Sequence, residues 1–374
     1  MLASISPFSR SFLLVLLSSA LITACNSSDT TSSSSNLDTG AVALLITDAP
    51  TSAYDEINVE AEQVSLIGEG HEAHLMNRSA RFNLLDLRNT FRRLSKCEAP
   101  VGTYSKVRFR IKDVELIKRH RDGTIAERVI PRLERNQIDL NARTQFAVDR
   151  LRQLVVKLDL DADASLGTDP DTGDPVFDPD ATVEVDEVPT DTTAPPQEVT
   201  PVLMNEQGDV RNLQTDSFEL CNTNPDGSVD CIQVNVSPDT LVMSQALAQV
   251  TGISDLSETF QWQVFGHLDV ITDTISALQV IEHSSQHRTY SGTLSVDVVN
   301  DQTQLSITVP EGEPAVSYPV TSVSLSGIYD SEGNVLDVSA LGAGVNVEVI
   351  GILSGFAPFE TLKPGVIIKP ISVP

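Results

Sequence analysis

The sequence predicts an all-β protein of two or three modules, and three observations carry that expectation. Apolar and polar residues alternate with period 2 along most of the chain, as in Ile57-Asn58-Val59-Glu60-Ala61 and Val107-Arg108-Phe109-Arg110-Ile111. That is the pattern of a strand with one buried face. Twenty Gly and 20 Pro interrupt these runs, which suits turns between strands. The chain has 374 residues and only 5% aromatic content, so it is too long for one sandwich and its cores must be aliphatic.

Residues 1–24 read as a secretory leader: Arg10 precedes an apolar run from Phe12 to Leu17, which continues through small residues to Ile22-Thr23-Ala24. The run is too short to span a bilayer. Ile-Thr-Ala-Cys resembles a bacterial lipobox, which implies diacylation of Cys25 and cleavage before it. The competing reading is a plain leader with a chance cysteine. NSSDTTSSSSNLDTG (26–40) has almost no apolar content and reads as a flexible tether. Over about 15 residues it would reach about 20 Å. Asn26 in place of aspartate favours the outer membrane over inner-membrane retention.

Export also frames the other cysteines. Cys221 and Cys231 flank a turn signal, Asn224-Pro225-Asp226-Gly227, between strand-like runs. In an oxidising compartment they form a disulfide across a hairpin, or else remain two buried thiols. This arithmetic leaves Cys97 over, and predicts it buried rather than reactive.

Several ordered segments carry a resemblance in the first module. GAVALLITDAP (40–50), YDEINVEAEQVSL (54–66), FNLLDLRN (82–89), APVGTYSKVRFRI (99–111) and LVVKLDLDADASL (154–166) resemble the conserved segments of domain-of-unknown-function family 4382, with TPVL (200–203) as its closing strand. The resemblance implies a β-sandwich of the immunoglobulin or transthyretin kind over 41–205, interrupted by an acidic insertion at 167–199. It implies no chemistry, because the family has no established activity.

The remainder contains an internal repeat. FQWQVFGHLDVITDTISALQVIEH (260–283) aligns with VNVEVIGILSGFAPFETLKPGVIIKP (345–370) through Gly266 and Gly351, then through Leu278 and Leu362. Upstream, 215–242 is matched to 290–310. Two units of about 80 residues follow, 206–283 and 289–371, with a glycine at a strand bend in each. The pattern is similar to the small OB-like barrels of domain-of-unknown-function family 5666, which implies two such barrels.

Charge is unevenly spread. Residues 41–157 carry 20 Lys+Arg against 16 acids, 158–210 carry 15 acids and no base, and 211–374 carry 4 bases against 19 acids. A formal charge of −27 argues against nucleic acid as a partner of the whole chain. Attraction between basic and acidic segments is the expected use of this asymmetry. The basic stretch 128–143, with Lys118 to Arg121 before it, is expected to dock on the acidic stretch or to bind an anionic polymer.

Candidate chemistry is sparse. The aspartates from 169 to 180 offer a calcium site from Asp169, Asp171, Asp174 and Asp180, although the register is not that of an EF-hand: Gly173 and Asp174 exchange the places of ligand and glycine. Asp159, Asp161 and Asp163 alternate, so a continuing strand would put three carboxylates on one face, inviting a cation or an arginine. A solvated acidic loop is the competing reading. The pairs His71/His74 and His283/His287 lack a metalloprotease context, and Trp262 reads as a packing residue. No nucleophile elbow or phosphate-binding loop is present. The expected function is therefore a lipid-anchored cell-envelope protein with a non-enzymatic binding or structural role, its ligand unknown. The alternative is a secreted hydrolase using carboxylates of 159–187.

Overall fold

The computed structural model describes residues 38–49, 54–76, 78–120, 123–190, 202–248, 252–253, 256, 259–284, 286–299, 302–309, 316–321, 323, 326–355 and 360–370. The leader, Cys25 and most of the tether lie outside the described residues. Among those described, no helix is long and apolar enough to cross a membrane.

The first module begins with β1 (Thr39–Ala49), β2 (Glu56–Gly68), β3 (His71–Met76), β4 (Ala80–Asn83), β5 (Arg92–Pro100), β6 (Gly102–Arg119) and β7 (Ile125–Val129). It continues with β8 (Arg132–Leu133), β9 (Gln137–Val148), β10 (Arg152–Asp161), the one-turn α1 (Ala162–Ser165), β11 (Leu166–Thr168), β12 (Pro175–Phe177) and β13 (Ala181–Pro189). Two sheets pack face to face. One has the order β13-β10-β1-β5, with β1 and β10 parallel; the other is built on β2 and β6, flanked by β3, β4, β7 and β9.

The run Val42-Ala43-Leu44-Leu45-Ile46 does not alternate, because β1 is buried on both faces. Val42, Leu44 and Ile46 join Val156 and Leu158 in the core between the two sheets. Ala43, Leu45 and Val155 face the opposite way, into a second core shared with the next module.

The expected closing strand at 200–203 is corrected by this arrangement. The edge of the sheet is β13, inside the stretch read as an acidic insertion, and Leu203 already belongs to the following barrel. Val183 and Val188 are buried on β13, while Asp186 and Glu184 pair with the buried Lys157 at 2.7 and 3.8 Å. Acidic composition hid an edge strand with valines on both faces, Val183 in the core between the sheets and Val188 in the core shared with the barrel.

The second module is a closed ring ordered β14-β15-β16-β18-β17. Its strands are β14 (Leu203–Arg211), β15 (Ser217–Thr223), β16 (Val229–Met243), β17 (Gln261–Asp269) and β18 (Thr274–Glu282). The third comprises β19 (Arg288–Val299), β20 (Gln302–Val309), β21 (Val316–Val320), β22 (Gly327–Asp330), β23 (Asn346–Ser354) and β24 (Thr361–Lys369). Its ring runs β19-β20-β21-β24-β23. Both are five-stranded Greek-key barrels with OB-like strand order. Where β16 shifts register partway along β18, the third module splits the same path into β21 and β22, both parallel to β24.

Pairing places Gly266 and Gly351 at equivalent bulges, opposite Ala277 and Pro364. A Cβ on either would lie within 2.5 Å of a carbonyl oxygen across the strand pair, so the glycines permit the close approach. Two parts of the repeat alignment are corrected. The residue skipped at the bulge is Leu278 in one barrel and Gly365 in the other; the loop between the paired strands is longer in the second, so Leu362 answers to Ile275. The hairpin β15–β16 corresponds to β20–β21 rather than to residues 290–310, a displacement of one strand.

Modules are joined by cores rather than by linkers alone. The second core unites the outer face of the sandwich sheet with Met204, Phe218, Trp262 and Val264 of the first barrel, so Trp262 is a packing residue. A further core unites Leu203, Phe265 and Ile281 with Tyr329, Ile350 and Val366 of the second barrel.

Candidate functional site

Where the three modules meet, a cleft of about 880 Å³ opens. Its sandwich wall comes from the start of β2, from β4, and from the short 3-10 helix Leu84–Leu87 that follows β4. Asn83 caps that helix, accepting from the Leu85 N–H. Gln207 and Gln261 come from the first barrel, His283 and His287 from the link between barrels, and Arg288 to Ser291 from the second barrel.

The cleft gathers six bases, Arg81, Arg88, Arg92, Lys118, Arg119 and Arg288, against four acids, Asp55, Glu56, Asp86 and Asp163. This is an inversion of the chain's overall balance. Most of these charges are already engaged. The Arg119 Nε donates to Glu56 at 2.5 Å and its backbone N–H to Asp55 at 2.6 Å. Arg288 reaches from the second barrel to Asp55 at 3.3 Å and to the His120 carbonyl at 2.6 Å. In the other direction Arg88 donates to the Ser291 hydroxyl at 2.8 Å, and that hydroxyl donates to Glu348 at 2.9 Å.

Burial sets the protonation of the site. It raises Asp86 to about 6 against the pull of Asn83, Arg92 and Arg88. It lowers His283 to about 4, with His287 adding to the effect. The Nδ1 atoms of both histidines and the Nε of Arg88 are buried without a hydrogen-bond partner. At neutral pH the histidines are uncharged, and the arginines supply the positive field.

The family-like segments converge beside this cleft. The backbones of Asp48 and Arg88 form an isolated parallel β-bridge, and the Thr47 hydroxyl donates to the Leu87 carbonyl at 3.1 Å. Asp48 Oδ1 accepts the Ala162 N–H at 3.0 Å, while Oδ2 is buried without a partner. Burial raises Asp48 to about 8, against the opposing effects of the Ala162 N–H and Arg88.

The proposed calcium ligands are held otherwise. Asp169 accepts from Arg132 at 2.7 Å through Oδ2, and from the Asp171 and Thr172 N–H groups through Oδ1. Its carboxyl stays below the usual range, chiefly through those two backbone bonds. Asp171 and Asp174 are exposed, and the Asp180 N–H donates to Ser165. Among the described residues, no cluster of three potential ligands includes any of the four.

The expected one-face array of Asp159, Asp161 and Asp163 is also corrected. The strand stops at Asp161, whose side chain caps α1 by accepting the Ala164 N–H at 2.8 Å. Asp163 lies in that turn and reaches the cleft wall. The basic stretch docks on the acidic one, through Arg132 to Asp169 and Arg135 to Asp178 at 2.5 Å.

Cys221 and Cys231 form a disulfide across β15 and β16. Cys97 is buried, as expected, but it is also disulfide-bonded, which corrects its reading as a cysteine left over.

Sequence reasoning missed the cleft residues as a group. Asp86 and Arg88 sat within a family-like segment, Arg119 within a basic run, and His283 and His287 within a discounted metal pair; nothing local linked them. No curated protein and no solved structure matches the chain. Residues 39–179, which supply the sandwich wall of the cleft, are a domain of the family described as Domain of unknown function (DUF4382).

Proposed function

We propose that this is a lipid-anchored protein of the bacterial outer membrane that holds a polar, negatively charged envelope ligand in the three-module cleft without transforming it. The observation that carries this reading is a preformed cleft, rich in arginine and walled by all three modules, on a chain of charge −27. Pockets of this size at module junctions are common ligand sites. The ion pairs that line it fix its shape, which favours positioning a ligand over proton transfer. A hydrolase built on residues 159–187 is less favoured, because Asp161 is a helix cap and Asp169 and Asp178 are paired with arginine.

Anchoring at Cys25 is supported by the lipobox resemblance, and the disulfide of Cys221 and Cys231 suits an oxidising compartment. A thioether to lipid and a disulfide at Cys25 exclude each other. Palmitate labelling that disappears in Cys25→Ser supports the anchor; a mapped crosslink between Cys25 and Cys97 in protein from membranes overturns it. For the cleft, thermal melts are run with soluble anionic fragments of peptidoglycan and lipopolysaccharide. A melting rise that is abolished by Lys118→Glu/Arg81→Glu supports the reading, and no response to any fragment overturns it.

A further inference from the structure

We infer that the end of the sandwich from which the tether runs rests on the phospholipid surface that holds the anchor, with Val101 and Leu151 as its contact residues. The inference depends on anchoring at Cys25 and extends it to an orientation.

β1 starts at Thr39, so only 13 residues separate its first position from the cysteine. Read from its composition as a coil, a segment of that length would have a root-mean-square reach of about 20 Å. Whatever this end presents is therefore held close to the membrane. Two turns flank the point where the tether joins β1. On one side, the Val101 N–H donates to the Asp38 carbonyl at 2.8 Å. On the other, Arg150 pairs with Asp38, and β10 runs parallel to β1 from Arg152 onward. The two turns thus stand one strand to either side of β1, about 10 Å apart.

Leu151 is 75% exposed and Val101 43%. Single exposed apolar residues are ordinary. These two differ in sharing the tether end, one on each of the turns that flank it. Two of the neighbouring carboxylates are paired, Asp38 with Arg150 and Glu187 with Arg152, and Asp149 accepts the Leu151 N–H at 2.7 Å. Those two ion pairs reduce the repulsion between this end and an anionic bilayer. Two side chains are too few to bind a membrane unaided. The tether makes the encounter intramolecular, at an effective concentration in the millimolar range, so a weak contact is populated.

Strand direction then fixes where the cleft stands. β1 and β10 run away from this end, while β2 and β5 run toward it and start at the cleft, at Glu56 and Arg92. The 11 residues of β1 span about 35 Å, so the sandwich lifts the cleft by that distance above the lipid.

The test uses the full lipidated chain in phosphatidylethanolamine–phosphatidylglycerol vesicles whose acyl chains carry bromine near the headgroup. Leu151→Trp and Val101→Trp are compared with Val335→Trp on the second barrel, which is about as solvent-facing as Leu151 and more so than Val101 (70% exposed); Trp262 is a background common to all. Flotation reports anchoring and quenching reports contact. Excess quenching and a blue shift in Leu151→Trp and Val101→Trp, absent in Val335→Trp, support the inference. Flotation with all three quenched alike overturns the contact while anchoring stands. Failure to float removes the anchor, and the inference falls with it.

Discussion

Among the described residues, Asp48 is the one buried carboxyl with an oxygen atom that finds no partner. Its folded pKa, about 8, lies above an unfolded value near 3.8. A carboxyl raised in this way contributes stability below its unfolded pKa and loses it as pH climbs through the folded value. Asp48→Asn keeps the acceptor for the Ala162 N–H and removes the ionisation. It should stabilise the protein by about 1 kcal/mol or more at pH 8, with the gain vanishing near pH 4; thermal melts across that range check it. The segment around Thr47-Asp48-Ala49 was legible as part of a family-like stretch, 40–50. Its chemistry was not, because the groups that set it, α1 packed against Asp48 and the opposing Arg88, lie far away in sequence.

Among elements, the two barrels solve one problem with different side chains. Cys221 opposes Cys231 on β15 and β16; the equivalent positions on β20 and β21 are Thr308 and Ser317, whose hydroxyls meet at 3.5 Å. Gly208 and Gly292 sit over the same two positions, each where a Cβ would strike the carbonyl of Cys221 or Thr308. Cys221→Thr/Cys231→Ser should therefore still close the barrel, at a cost of roughly 2–3 kcal/mol for a cross-link across so short a loop, read by denaturant titration against the parent. Strand periodicity made most elements visible in the sequence. It failed at β13, where acids dominate the composition, and in the phase of the repeat. There a longer loop and a bulge at Gly365 displaced the apparent match.

At the scale of the molecule, the charge asymmetry becomes an assembly device. Arg93, on β5, reaches Asp230 at 3.2 Å and Asp273 at 3.5 Å in the first barrel, while its backbone N–H donates to Glu206. Burial pulls its pKa down, but the three acids outweigh this and leave it raised. Glu206 is itself raised to about 7 by burial, against Arg92 and Arg93. Arg93→Met removes the cation and leaves the acids. A loss of about 3–5 kcal/mol is expected, and calorimetry should show a single unfolding transition divided into two. Segment charges made mutual attraction between parts of the chain legible in the sequence. The cleft was not, because its walls come from residues near 55, 85, 119, 207 and 288, brought together only by packing between modules.

The double-sided burial of β1 and β10 also bears on how the protein can change over time. Positions 42, 44 and 46 answer to the sandwich, while 43, 45 and 155 answer to the barrel. A lineage that shed the barrels would be released from the second set alone. In such chains alternate positions of this strand pair should drift to polar residues, and the unbroken apolar run would revert to simple alternation. The length of that run is thus a sequence-level record of whether a barrel is docked on the sheet.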